Sequence, residues 1–421
     1  MRTLAPTLRL LVCVFTFPSL IVIVEAFLAP SFTFSTAAEA TKQHRRQQAT
    51  KTTTTTTSTT HSINPTSASS FTLLSSSIGD ACGLSYNEPL YRPPGEWRSL
   101  ILQVTEGCSW NHCTFCEMYQ SKTFHMKKLD TIEQELKQIV KVGGGPYVRD
   151  VFLADGDAMT IPTNQLLSIL QLINQYLPKV RRISSYCLPR NIKYKTVDDL
   201  RLLKENKLSL VYIGCESGSD IVLQAVSKGE TYSSSLDALN KLKEAKIKRS
   251  VMILLGLGGK ILSKEHAIES AKLVTTSQPE YLSVLTTSFP KGKQRVVDGY
   301  QNNLQDLYDN NIYSNTTNHN SSHHNKSLSF EQLTSPREVL EELECFLGNV
   351  NIPETNGKTI FRSDHASNYF VLKGRLGRDK QRMLNELRSV LLKLLSFEEG
   401  DENHGDDEIS KYIRPEWSRG L

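Results

Sequence analysis

The chain runs to 421 residues, 39% of them hydrophobic and 22% charged, with 49 Lys and Arg set against 44 Asp and Glu. Such a length accommodates two or three average domains, or one large α/β domain with appendages, and the composition excludes collagen, a coiled coil, a polytopic membrane protein and a small disulfide-stapled scaffold. The near balance of charge gives no reason to expect nucleic-acid binding, while three of the eight cysteines fall within nine residues and point to a metal or a cluster.

In chain order, Arg2 and Arg9 lead into an apolar run from Leu10 to Val24, which Pro18 interrupts and Glu25-Ala26-Phe27 follows. A basic flank, a short apolar stretch and a small residue at its end make residues 1–26 a signal-peptide-like segment. Read instead as a membrane anchor, the run is broken by a proline and falls short of the roughly 20 residues that a bilayer requires. Residues 27–80 are rich in Ser, Thr and Ala, carry Lys42, Arg45, Arg46 and Lys51, and include six consecutive threonines, Thr52 to Thr57. Such a stretch cannot define a core face, so it is expected to be disordered and transit-peptide-like. The join Val24-Glu25-Ala26-Phe27-Leu28-Ala29-Pro30 resembles the Ala-Phe-Ala-Pro cleavage site of the two-part plastid presequences of diatoms and related algae. That resemblance implies delivery to a plastid (chloroplast), with no stable membrane insertion after processing. The alternative is the secretory pathway, with a flexible Thr-rich stalk.

After Pro89, Pro93 and Pro94, short β-rich runs alternate with helix-like ones. The apolar, β-branched runs Leu100–Thr105, Asp150–Ala154, Arg182–Tyr186, Leu208–Gly214, Arg249–Leu255 and Tyr281–Thr286 predict strands buried on both faces of a parallel sheet. Amphipathic stretches at Asp130–Val140, Thr163–Tyr176, Val197–Lys204, Ser233–Ala245 and Lys264–Thr275 predict the intervening helices. Right-handed βαβ units of this kind build either a TIM-like (β/α) barrel, partial or full, or a doubly wound sheet. The expected core barrel covers 91–290, followed by a low-complexity insertion at 291–332 and a C-terminal extension at 333–421. Within the insertion, Asn310–Lys326 holds His319, His323 and His324, read as a solvated surface segment rather than a metal site. The extension carries helical patterns at Pro336–Leu347 and Arg378–Leu395, the segment Thr359–Leu372 between them, and an acidic stretch, Glu398–Glu408.

The strongest chemical signal is Gly107-Cys108-Ser109-Trp110-Asn111-His112-Cys113-Thr114-Phe115-Cys116, just after the first predicted strand. In a parallel barrel, that is where the loops carrying active sites begin. Three thiolates spaced C-x4-C-x2-C in one loop can converge on one centre. A structural zinc normally takes four closed ligands, and His112 or His125 is the fourth ligand a zinc reading would use. A [4Fe–4S] cube held by three cysteines instead leaves one iron open to a non-protein ligand. A disulfide would leave an odd thiol over.

The block, with Met118-Tyr119 following, is similar to the cluster motif of radical S-adenosylmethionine (radical SAM) enzymes, and the resemblance extends from about Tyr91 to Leu421. Most of that superfamily spaces its cysteines C-x3-C-x2-C; the longer first interval here resembles a recognisable subgroup. The resemblance implies a radical SAM type of partial or full barrel with a helical C-terminal extension. It implies that Cys108, Cys113 and Cys116 bind three irons of a [4Fe–4S] cluster, with S-adenosyl-L-methionine chelating the fourth. Phe115 takes the position whose ring packs near cluster and cofactor.

Three further blocks sit at other strand ends. Asp155-Gly156-Asp157 reads on its own as a turn, but it stands where the superfamily binds the cofactor's ammonium group, with Asp157 the first choice of carboxylate and Asp155 the second. Gly214-Cys215-Glu216-Ser217-Gly218 resembles the Gly-x-Glu-Ser-Gly block of radical enzymes related to tRNA methylthiotransferases and oxygen-independent coproporphyrinogen oxidases. Glu216 would take ribose hydroxyls, and Ser217 would lead into a helix N-terminus capped by Ser219 or Asp220. Gly256, in the Gly-rich end of the fifth strand, is the position where adenine would slide along the backbone.

Arg362-Ser363-Asp364-His365-Ala366-Ser367-Asn368-Tyr369 gathers several hydrogen-bonding side chains in one loop. It is similar to a His-Ala-Ser-Asn-Tyr segment of the same subgroup. Arg362, His365 and Asn368 are the candidate catalytic or substrate contacts, against the plainer reading of a capped turn. The activity implied is reductive cleavage of S-adenosylmethionine to a 5′-deoxyadenosyl radical that abstracts hydrogen from an unactivated carbon. Its implied partners are an external one-electron donor, ferredoxin- or flavodoxin-like, and a small-molecule substrate of unknown identity. The alternative is a non-catalytic zinc or iron–sulfur binding module.

Overall fold

A computed structural model describes residues 78–309, 330–354, 358–399 and 412–414, all within the compact unit Ala68–Leu421. The signal-peptide-like segment, nearly all of the transit-peptide-like region, the His-containing low-complexity stretch and most of the acidic stretch lie outside the described residues. No described helix is long and apolar enough to cross a membrane.

A short helix α1 (Ile78–Ala81) precedes strand β1 (Leu100–Gln103) and a two-stranded ribbon of β2 (Thr105–Glu106) and β3 (His125–Met126). There follow α2 (Leu129–Lys141), β4 (Asp150–Ala154), α3 (Thr163–Tyr176), β5 (Arg182–Cys187), α4 (Pro189–Lys193), α5 (Val197–Glu205) and β6 (Leu208–Glu216). Next come α6 (Asp220–Ala225), α7 (Tyr232–Glu244), β7 (Lys248–Leu255), α8 (Gly259–Ser277), β8 (Tyr281–Thr286) and α9 (Gln294–Asp309). The C-terminal region adds α10 (Pro336–Asn349), β9 (Ile360–Arg362), β10 (Lys373–Arg375) and α11 (Leu376–Glu399).

The main sheet has eight strands in the order β1-β4-β5-β6-β7-β8-β9-β10. Pairing is parallel from β1 to β9 and antiparallel only at β10. Each new strand is added to the same edge. With right-handed crossovers, that winds every helix onto one face and curls the sheet. A doubly wound sheet would reverse its strand order partway, so the fold is the partial barrel, and among the described residues β10 is not paired with β1.

Alternation along the strands sorts the two faces. Leu100, Leu102, Val151, Leu153, Ile183, Val211, Ile213, Val251, Ile253, Leu282 and Val284 face the helices and join one large core. Helix α2 answers with Ile132, Leu136 and Ile139, spaced to fall on one stripe. Side-chain caps start several helices: Thr196 for α5, Ser219 for α6, Thr231 for α7 and Ser335 for α10, each a device worth about 1 kcal/mol. At the N-terminal end of the barrel, Arg249 is fully buried. It pairs with Glu280 at 2.9 Å and donates to the carbonyls of Ser277 and Gln278.

The inner face is filled on one side. Ile101, Phe152 and Ala154 pack there with Tyr86, Leu90, Tyr186 and Tyr212. Buried Glu96 accepts from Tyr212 Oη (2.8 Å), Arg182 Nη2 (2.9 Å) and Ser99 Oγ. The segment before β1 therefore plugs this half. Across β7, β8 and β9, Met252, Leu254, Tyr281, Ser283, Leu285 and Ile360 stay half-buried and Arg362 is exposed.

Three details differ from the sequence reading. The first strand breaks at Val104, whose amide donates to Ala154 O at 2.6 Å before β2 begins. Thr359–Leu372 supplies β9 and a loop, and the polar Lys373-Gly374-Arg375 completes the sheet edge. Residues 294–309, placed in the insertion, form α9. Val296, Tyr300 and Leu304 bury one face of it in a second core with α6 residues and Phe330.

Candidate cluster and cofactor site

Because the strands are parallel, the loops after β1, β4, β6, β7 and β9 all open on one rim. The three-thiol loop starts there and is tied to its neighbour after β4. Gly107, at φ +75°, accepts from Gly156 N at 3.1 Å and donates to Asp155 Oδ2 at 3.2 Å. A Cβ on Gly156 would meet Gly107 O at 2.7 Å and Cys108 at 3.0 Å, so the two loops touch only because that residue is glycine. Asp157 Oδ1 accepts from Ser109 N at 2.9 Å, and its Oδ2 accepts from Ser109 Oγ and from Asn191 Nδ2 at 3.1 Å.

Asp157, the first choice for the ammonium contact, thus has both oxygens engaged in holding the three-thiol loop. Asp155 is fully buried and paired through Oδ2 with Lys122 at 2.7 Å. Its Oδ1 has no hydrogen-bond partner among the described residues. The nearby Tyr119 hydroxyl is pushed well above its ordinary pKa, by burial first and then by the Asp155 charge. Among the described residues the Tyr119 hydroxyl is the group beside this carboxylate, and a cationic ligand group would meet a buried anionic acceptor there.

Burial raises the pKa of Cys108, Cys113 and Cys116, Cys113 to about 12. The ammonium of Lys228 pulls each of them the other way. Left alone, such thiols stay protonated at neutral pH; a bound metal centre supplies the positive charge that makes them thiolates. Among the described residues no three His, Cys, Asp or Glu side chains are gathered around a single metal ion. Three soft, half-buried donors in one loop, with a cation beside them, fit an iron–sulfur centre by chemistry.

Glu216 ends β6 at φ +64° and pairs with Lys228 at 3.1 Å. Burial opposes the charge on Lys228, but Glu216 and Cys113 outweigh it and raise its pKa. Ser217 Oγ lies 2.8 Å from Nδ1 of buried His266, whose Nε2 meets Leu254 O at 2.9 Å. Gly256, at φ +82°, donates to Oε1 of buried Glu342 on α10 at 2.6 Å, and a Cβ there would meet Thr287 Oγ1 at 2.8 Å. Helix α10 of the C-terminal region therefore grips the Gly256 segment, while α8 holds the Ser217 segment through His266. Phe115 leaves the loop to pack against the α6–α9 core.

Several residues of the site carried no sequence motif. Arg295, on α9, donates to Cys116 O at 2.9 Å and Cys113 O at 3.1 Å. Gly299 lets α9 approach Thr114, since a Cβ there would meet it at 2.8 Å. Arg190 stacks 3.6 Å from the Trp110 ring while pairing with Glu230 at 2.9 Å. The spacing of Val296, Tyr300 and Leu304 at every fourth residue was the available signal for α9. An isolated cation such as Arg295 has none, whereas Lys228 closes the run that continues from the Glu216-Ser217 block.

The third block reaches the same rim through β9. Asn368 is buried and donates to Val284 O at 2.8 Å while accepting from Thr286 Oγ1 at 3.0 Å. Its amide is thus used to clasp the loop to β8. His365 Nδ1 accepts from Ser367 N at 3.1 Å, and Arg362 is exposed near Asp364 at 3.8 Å.

Residues 102–273 match the model of the Radical SAM superfamily. The heme chaperone HemW of Bacillus subtilis is 21% identical over 163 residues, 38% of this chain and 43% of that protein. The tRNA-2-methylthio-N(6)-dimethylallyladenosine synthase of a Marinomonas species is 26% identical over 180 residues, 40% of this chain and 38% of that one. The chain spans less than half the length of either curated relative. Among solved structures, the radical S-adenosylmethionine methyltransferase TsrM from Kitasatospora setae aligns at 16% identity with a TM-score of 0.40, covering 51% of this chain and 42% of that one. The matched region begins within β1 and ends within α8, so it takes in the three-thiol loop, the Asp-Gly-Asp turn and the Glu216-Ser217 block. Residues 102–273 are thus the part of the chain that resembles the Radical SAM superfamily.

Proposed function

We propose that the protein is a radical SAM enzyme acting on a small-molecule substrate. The observation that carries this reading is the loop of Cys108, Cys113 and Cys116, fixed on the C-terminal rim by Asp157 on one side and Arg295 on the other. These cysteines would hold the [4Fe–4S] cluster, and Asp155, Gly156, Glu216, Ser217 and Gly256 would hold S-adenosyl-L-methionine. When bound, that pair supplies one-electron reductive cleavage and a radical that abstracts hydrogen, chemistry outside the reach of side chains. The chain's own part is to position the half-buried thiols and to set a cation beside their charge with Lys228.

An external one-electron donor of ferredoxin or flavodoxin type completes the reading. Delivery to a plastid rests on the presequence-like join near Phe27, and a fluorescent fusion of residues 1–80 distinguishes it from secretion. The activity is tested by anaerobic reconstitution of the full chain. Bound iron, a brown chromophore and 5′-deoxyadenosine formed on reduction support the enzyme. Stoichiometric zinc with no adenosyl cleavage would turn the reading into a non-catalytic binding module.

A further inference from the structure

At the open edge of the sheet, the inner face ends in a concentration of positive charge. Arg362 closes β9, Lys373 opens β10, and the register sets them directly opposite. Phe361, between the inward positions, is fully buried in the helix-facing core, which places Arg362 on the inner face beside Ser283 of β8. Like charges facing each other across an antiparallel pair are destabilising. Here one carboxylate serves both: Asp364 Oδ2 lies 3.0 Å from Lys373 Nζ and 3.8 Å from Arg362 Nη1. Arg414 brings a third cation, donating from Nη1 to His365 O at 2.9 Å and to Asp364 O at 3.5 Å.

The approach to these charges along the inner face is uncharged. Met252 and Leu254 of β7, and Tyr281, Ser283 and Leu285 of β8, are half-buried and leave surface uncovered. Just beyond Asp364, His365 accepts a backbone N–H at Nδ1, so its own proton sits on Nε2 as a donor. Burial lowers the pKa of this ring, which favours the neutral form. A largely neutral wall ending in paired cations and a neutral donor suits a ligand with a weakly polar body and an anionic end.

We propose that Arg362 and Lys373 bind an anionic group of the substrate, a carboxylate or a phosphate, whose body lies along the inner face of β7 and β8. Describing that ligand as a substrate rests on the radical SAM reading; the anion site does not.

The test uses the full chain, reconstituted anaerobically in chloride-free buffer, with inorganic phosphate and succinate as separate calorimetric probes. An Arg362→Gln/Lys373→Gln double variant is compared with wild type and with a Lys291→Gln/Lys293→Gln control, which removes exposed cations near α9 instead. Iron content and S-adenosylmethionine affinity are measured in parallel. The double variant should weaken whichever probe binds by at least about tenfold, with iron, cofactor affinity and the control unchanged; the preferred probe identifies the anion. Unsaturable binding in wild type, equal affinity in the double variant, or an equal loss in the control would overturn the site. A fall in S-adenosylmethionine affinity would assign the cations to the cofactor and overturn the substrate claim. Probe binding lost in the double variant of a chain that holds zinc and cleaves no S-adenosylmethionine would uphold the anion site and overturn the enzyme reading.

Discussion

The two halves of the barrel's inner face are finished differently. From β1 to β6 the segment before β1 fills the space: Tyr86 and Leu90 pack on Ile101 and Phe152, and buried Glu96 collects three donors. From β7 to β9 nothing among the described residues fills the corresponding surface as tightly, and its side chains stay half-buried or exposed. A curled sheet of this kind needs packing to be stable and space to receive a ligand. Here the chain divides those needs between the halves, with the three-thiol loop rooted after the filled side and the cations on the open one.

The largest expected effect lies at the rim of the filled half. Cys113→Ser should abolish the iron chromophore, whereas Cys345→Ser, a half-buried thiol on α10 outside the loop, should leave the iron count unchanged; metal analysis of the reconstituted proteins compares them. Next comes the plug itself. Glu96→Ala leaves Tyr212 and Arg182 facing a buried gap and should cost about 3 kcal/mol in denaturant unfolding. An effect below about 0.5 kcal/mol would mean that the half-barrel does not depend on its filling.

Between the halves, His266 and Glu342 join the ends of β6 and β7, and their titrations oppose one another. Burial lifts Glu342 to about 7, so its contribution favours the folded state at low pH and is lost as pH rises toward that value. Burial drops His266 to about 4, so its contribution is lost as pH falls through the range from about 6.5 to about 4. Wild-type stability should therefore change little between about pH 4.5 and 6.5, whereas Glu342→Gln should become steadily more stable as pH rises across that window. Melting temperatures of both proteins over that range check it, and parallel curves would show that the two groups do not titrate this way. The smallest effect belongs to the open half: Arg362→Gln should shift unfolding by no more than about 0.5 kcal/mol, because its side chain is exposed.

The sequence made part of this plan readable. Asp150–Ala154 and Thr163–Tyr176 were bounded correctly, because a strand covered on both faces is continuously apolar and a helix repeats its stripe. Tyr281–Thr286 was too, its buried Leu282 and Val284 alternating with a half-buried inner face. Three cysteines in nine residues announced their own loop. By contrast, β10 is Lys-Gly-Arg, which no propensity marks as a strand; it is one because β9 offers an edge. Helix α9 was hidden where its polar face runs on into Asn-rich sequence. The division of labour between Asp155 and Asp157 depends on which carboxylate Ser109 and Lys122 reach, a tertiary fact two residues of spacing cannot convey.

The open edge has one more consequence, for the behaviour of the chain among copies of itself. Among the described residues no further strand lies beside β10, and an uncovered sheet edge is a template for a passing strand, although Arg375 N already donates to Asp379 Oδ2 and Lys373 O accepts from Arg382 Nη2. Here the last strand is only three residues long, and two of the three side chains are cations. An incoming strand from another molecule would find little backbone to pair with and would bring its own Lys373 and Arg375 toward those already present. Replacing both with threonine should lower the concentration at which the protein stays dispersed, a change that light scattering can follow.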